Sequence, residues 1–173
     1  MAAASVPEKW IISALEDWFL RDGRIGRPEQ IVRSDTAFAD DVQEDYLKVL
    51  AGHRTYESFL IYRKNDLRVL SADVFNFLLP KIVAVAMQNP QSELMDYFVY
   101  IVSDIIVGED YYDSVFQALN ARQIYILCMA IMIFGAINCD KDDFLFFKIN
   151  QACFVLLRYS ILLISEKMMT DGH

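Results

Sequence analysis

The sequence predicts an all-α fold, a single-domain bundle of about six to seven helices covering residues 1–173. Three observations predict it. Apolar residues recur at three- and four-residue spacing along most of the chain, turn-forming clusters are scarce, and no clean two-residue alternation appears. At 55% hydrophobic and 13% aromatic residues, the chain can also build a sizeable core and lies far from a disordered composition.

The elements follow in order. Pro7 suits a first helical turn, and Trp10, Ile11, Ala14, Leu15, Trp18 and Phe19 then trace one helical face. Gly23 and Gly26-Arg27-Pro28 interrupt it, and Ile25 is expected to tuck back onto the core. A second helix is expected from Asp40, where acidic residues favour the first turn, with Val42, Tyr46, Leu47, Val49 and Leu50 inward and Gly52 as its stop. A short helix, Tyr56 to Tyr62, precedes a polar turn at Arg63-Lys64-Asn65-Asp66. Ser71 is placed to cap a helix running from Ala72 to Gln88, and Pro80 inside it predicts a kink or break near Phe77. A helix from Gln91 to Val107, apolar nearly all round, ends at Gly108. Glu109-Asp110-Tyr111-Tyr112-Asp113 reads as an acidic, aromatic connector. Asn120 then caps a helix Ala121 to Ile137, and the last helix spans Asp142 to Lys167 with a frayed tail.

Charge excludes some functions. The formal net charge is −8, with 11 basic against 13 acidic residues up to position 86 and 5 against 11 after it. Nucleic-acid binding calls for a basic stripe, and this balance is the opposite. The longest uncharged stretch in the second half, Gln123 to Cys139, is too short to span a bilayer, and Ala152 to Ser165 is interrupted by Arg158. Glu8, Glu16 and Asp17 fall where the apolar part of a signal peptide would lie. The expectation is a cytoplasmic chain without a membrane partner. Cys128, Cys139 and Cys153 form neither a CxxC pair nor an even set, so they read as small core residues.

No chemistry-bearing motif emerges. Gly23-Arg24-Ile25-Gly26 is not a dinucleotide fingerprint, and neither a P-loop nor a Gly-x-Ser-x-Gly elbow is present. His53 and His173 are the two histidines, the first in a helix exit and the second at the terminus. Asp140-Lys141-Asp142-Asp143 lacks the glycine and spacing of a calcium loop. The reading is therefore of a non-enzyme without cofactor or metal. An enzyme built on paired carboxylates would need a deep pocket holding both. Arg158, inside Phe154-Val155-Leu156-Leu157-Arg158-Tyr159, is expected either to be paired or snorkelling, or to contact an anion in a groove.

The remaining candidates are acidic clusters. Asp40, Asp41, Glu44 and Asp45 form one; Glu109, Asp110 and Asp113, with Tyr111 and Tyr112 as anchors, form another; Asp140, Asp142 and Asp143 form a third. Each is explained by capping and solvation, or by attraction to a basic protein partner. The first two are the partner-binding candidates.

A resemblance enters between Glu44 and Met87. Leu50-Ala51-Gly52-His53-Arg54-Thr55-Tyr56, then Leu70-Ser71-Ala72-Asp73-Val74-Phe75-Asn76-Phe77-Leu78-Leu79-Pro80, then Leu119-Asn120-Ala121-Arg122-Gln123 resemble a little-characterised family of small acidic helical bacterial proteins. Tyr56 stands where that pattern carries a tryptophan. The resemblance covers most of the chain through structural motifs. It implies the genomic habit of such proteins, which often lie beside bacterial toxins as immunity genes, and it names no active site. The functional expectation is thus an immunity protein that neutralises a toxin with a basic surface. The alternative is a self-associating helical scaffold or adaptor, with a homodimer among its expected forms, motivated by excess apolar surface on the last three long helices.

Overall fold

The computed structural model describes residues 6–19, 30–33, 36, 38–105, 111–138 and 143–170. The expectations for Ile25, Gly108, Glu109, Asp110, Cys139 and Asp140–Asp142 lie outside these. Among the described residues the fold is all-α. The helices are α1 (Val6–Phe19), α2 (Ala39–Leu50), α3 (Tyr56–Tyr62), α4 (Ala72–Gln88), α5 (Leu94–Ser103), α6 (Asp113–Gln117), α7 (Ala121–Asn138) and α8 (Asp143–Thr170). Short 3-10 turns occupy Lys64–Val69 and Pro90–Ser92. Extended pairing among the described residues is limited to an isolated antiparallel bridge between Val32 and Leu70.

Helix boundaries follow local chemistry. At the end of α2, Gly52 adopts φ +77, its N–H bonds the Val49 carbonyl at 3.0 Å, and the His53 N–H bonds the Lys48 carbonyl at 2.9 Å. This is a Schellman exit, which favours glycine because a Cβ is strained at that φ. Thr55 caps α3 by accepting from the Ser58 N–H at 3.1 Å. Ser71 caps α4 through the Val74 N–H at 3.3 Å, and its hydroxyl donates to the Gln30 carbonyl at 2.6 Å. Asn120 and Gln123 satisfy each other's backbone N–H groups reciprocally at 3.0 and 2.9 Å, a capping box that starts α7.

Three expectations shift. α4 runs unbroken through Pro80, which is buried in the core among Leu78, Leu79 and Ile82, so packing on both sides of the proline outweighs the missing backbone bond. α5 begins at Leu94, three residues late, because Pro90–Ser92 forms a 3-10 turn and Glu93 takes φ 59, and it ends at Ser103, short of the expected Val107. α8 continues to Thr170, past the expected end at Lys167.

The buried residues form one cluster. α4 lies at its centre, packed against α1, α3, α5, α6 and α7. α1 lies across α4 and α7, while α8 closes one side against α5, α7 and α6. α7 and α8 approach closely at Gly135, where an added Cβ would lie 3.2 Å from the Ile149 side chain. α2 and α3 sit at the far margin, on the 64–69 turn and α4.

Candidate interaction surfaces

The first acidic cluster separates into an outer and an inner part. Asp40, Asp41 and Glu44 are exposed along α2. Phe38, just before them, is 69% exposed and holds a left-handed φ of 64, unusual for a bulky side chain. With Thr36, Ala39, Asp40 and Asp41 it lines a shallow polar depression at the head of α2. Glu44 pairs with Lys48 at 2.8 Å across one turn.

Asp45 points the other way, and its side chain is 11% exposed. One oxygen accepts from Arg63 Nη2 at 2.7 Å and Nε at 2.8 Å, with Arg54 Nη1 at 3.2 Å; Lys48 Nζ lies 3.3 Å from the other oxygen. Burial pushes the carboxyl pKa up, but the hydrogen bonds of Arg63 and Lys48 and the nearby charges hold it below the ordinary carboxylate value. The charge of Asp45 is matched inside the fold, where it ties α2 to α3 and the turn that follows. It is not a surface charge that a partner would meet.

The second cluster behaves similarly. Glu109 and Asp110 are outside the described residues. Tyr111 is partly exposed, beneath the Arg33 guanidinium at 4.3 Å, and its hydroxyl accepts from the Ala72 N–H at 3.3 Å. Tyr112 is buried; its hydroxyl reaches the carbonyls of Leu70 and Leu67 at 2.9 and 3.1 Å, and its ring packs 4.4 Å from that of Phe75. Asp113 is buried too, accepting from the Tyr159 hydroxyl at 2.7 Å and from Gln117. Residues 111–113 thus clasp the 64–69 turn, the start of α4 and the middle of α8. For Tyr112 and Asp113, internal hydrogen bonding replaces the partner-facing role expected from the sequence.

The larger exposed feature is apolar. On α8, Phe146, Phe147, Phe154, Leu157, Ile161 and Leu162 are 45–63% exposed. On the neighbouring α7, Tyr125, Met132 and Ile137 are exposed as well. The excess apolar surface expected of the last three long helices falls on α7 and α8, since α5 buries Leu94, Met95, Phe98, Val99, Ile101 and Val102. Arg158 lies on the outer side of α8 and is exposed. By length and composition, Phe144–Leu163 is apolar enough to cross a membrane, and 33% of it is buried. α7 yields only a shorter apolar stretch, Ala121–Ile137.

Among the described residues, chemically reactive groups do not converge. Burial, and secondarily the neighbouring Cys153, pushes the Cys128 thiol up to about 12, far from a reactive thiolate. His53 is exposed in the turn after α2. Among the described residues no three of His, Cys, Asp and Glu are placed to hold a metal ion. Asp104 bridges Lys148 at 2.6 Å and Arg68 at 2.9 Å, fastening α5 to α8 and to the 64–69 turn.

In comparisons with known proteins, no family model, no curated protein and no solved structure matches this chain.

Proposed function

We propose that the protein acts by binding another protein, as an immunity-type inhibitor of a bacterial toxin with a basic surface. The observation that carries this reading is the head of α2. There an apolar anchor, Phe38, stands 69% exposed beside the outward carboxylates Asp40, Asp41 and Glu44. An exposed aromatic rimmed by charge is the composition of a small protein-binding hot spot. The net charge of −8 adds long-range attraction to a basic surface. The resemblance to toxin-associated bacterial families supplies the biological setting.

Co-expression with a toxin encoded next to this gene tests the reading. Wild type should rescue growth. Asp40→Lys, Asp41→Lys and Glu44→Lys together should slow association roughly tenfold at low salt and little at high salt, as expected for steering. No rescue and no co-purifying toxin would remove the immunity reading. A second reading, the self-associating scaffold, is favoured by a separate observation, the exposed apolar face of α7 and α8.

A further inference from the structure

We infer that the outer face of α8 is a helical seam that seats a second copy of this chain. The inference rests on the self-associating reading and is independent of the toxin reading.

α8 carries two apolar stripes on opposite sides. The inner stripe is Leu145, Ile149, Ala152, Leu156 and Tyr159, all buried, at spacings of four, three, four and three. The outer stripe is Phe147, Asn150, Phe154, Leu157 and Ile161, all exposed, at spacings of three, four, three and four. The sequence continues that count at Ile164. A 3.5-residue average repeat is the pattern of a coiled-coil seam, whose side chains insert between those of a facing helix. A one-sided surface helix needs only the inner stripe.

The exposed area fits a dimer. Phe146, Phe147, Phe154, Leu157 and Ile161 are 52–63% exposed. At 150–250 Å² for a buried large aromatic, each leaves on the order of 100 Å² bare. The five on α8 together offer about 500 Å² per copy, or roughly 1,000 Å² in a two-fold pair, which reaches the lower bound for a specific interface.

The flanks indicate which helix fits. Charged flanking positions set the choice of a different partner in coiled coils. Here the flanking positions are Phe146, Gln151, Cys153, Arg158, Ser160 and Ser165, among which Arg158 alone is charged. A stripe with near-neutral edges is complementary to itself under a two-fold axis. A lipid surface fits less well. Membrane-surface helices line their polar edge with Lys and Arg, whereas this one has Asn150 within the stripe and a body of net charge −8. The acidic head of α2 does not obstruct the seam, because α8 packs on α5, α6 and α7 and leaves α2 at the far margin.

Sedimentation equilibrium and light scattering between 1 and 100 µM test the inference. Wild type should run at twice the 20.0 kDa chain mass. Phe154→Glu with Ile161→Glu should weaken dimerisation at least 100-fold, and Leu157→Lys alone at least tenfold, with unchanged far-UV circular dichroism because these side chains are exposed. Phe38→Glu, equally exposed but off the seam, should leave the dimer intact. A dimer that survives both seam variants would overturn the inference while leaving self-association standing. A wild type that stays monomeric at 100 µM would overturn both, and flotation of that monomer with phosphatidylserine vesicles would assign the face to lipid instead.

Discussion

Replacing Asp45 by Asn removes one negative charge from among Arg63, Arg54 and Lys48 and leaves the geometry nearly unchanged. Two charge-assisted bonds from Arg63, at 2.7 and 2.8 Å, lose their anionic acceptor. Hydrogen bonds to charged groups contribute about 1.5–3 kcal/mol each. Arg63 and Arg54 are 16% and 19% exposed, so the cations cannot be fully rehydrated; Lys48 at 46% can. The expected loss is therefore about 2–3 kcal/mol, towards the low end for breaking a buried pair. For a chain of this size that is a fall in Tm of roughly 5–10 °C by thermal circular dichroism. The acid side adds a second readout. The folded pKa of Asp45 lies below its unfolded value, so its contribution is complete at neutral pH and fades as pH falls from about 5 through the folded pKa. Wild type should lose stability over that window, and Asp45→Asn should lose less. Asp40→Asn, on the exposed side of the same helix, should change stability by less than about 0.5 kcal/mol. If Asp45→Asn matches wild type within that margin, or the two acid profiles run parallel, the internal clamp is refuted and Asp45 returns to the candidates for partner binding.

Two further outcomes follow from geometry. Gly52→Ala should cost about 1 kcal/mol in urea unfolding, although nothing lies within 4 Å of the added Cβ, because the penalty comes from φ +77 alone. An unchanged midpoint would mean that the exit of α2 relaxes freely. Tyr159→Phe should cost about 1–2 kcal/mol, since Asp113 keeps its burial and loses the hydroxyl at 2.7 Å. Asp113→Asn, which can still accept that bond, should cost less; the reverse order would contradict the clasp between α6 and α8.

How much of this was legible in the sequence depended on how local the cause was. Gly52, Ser71 and Asn120 were readable because helix ends are decided by a few neighbouring residues. The short α6 was not readable, because Asp113 is held by Tyr159, and Tyr112 just before it by Leu70, residues distant in sequence. The acidic clusters were visible as charge but not as geometry. Asp41, Glu44 and Asp45 look alike in sequence, yet of the three carboxylates Asp45 turns to Arg63, while Asp41 offers that guanidinium its backbone carbonyl at 3.3 Å. In sequence, Tyr112 and Asp113 belong to an acidic, aromatic connector with a partner-binding role, since nothing local marks a polar run that folds inward. Trp10 shows the converse error, an apolar residue placed on the inner stripe of α1 that remains 48% exposed.

By itself, the sequence determined that the chain would be helical and where most helices start and stop, and it placed excess apolar surface on the last three long helices, of which α5 proved buried. Those properties follow from spacing and composition. Which side of α8 would be buried was a tertiary decision. A helix with a 3.5-residue stripe on both faces has no local preference between them. The choice fell to its neighbours. Gly135 on α7 leaves room for Ile149, Ala152 is buried without bulk, and Asp113 offers Tyr159 a buried acceptor, so the stripe that meets these features turned inward and the phenylalanine-rich one was left outside.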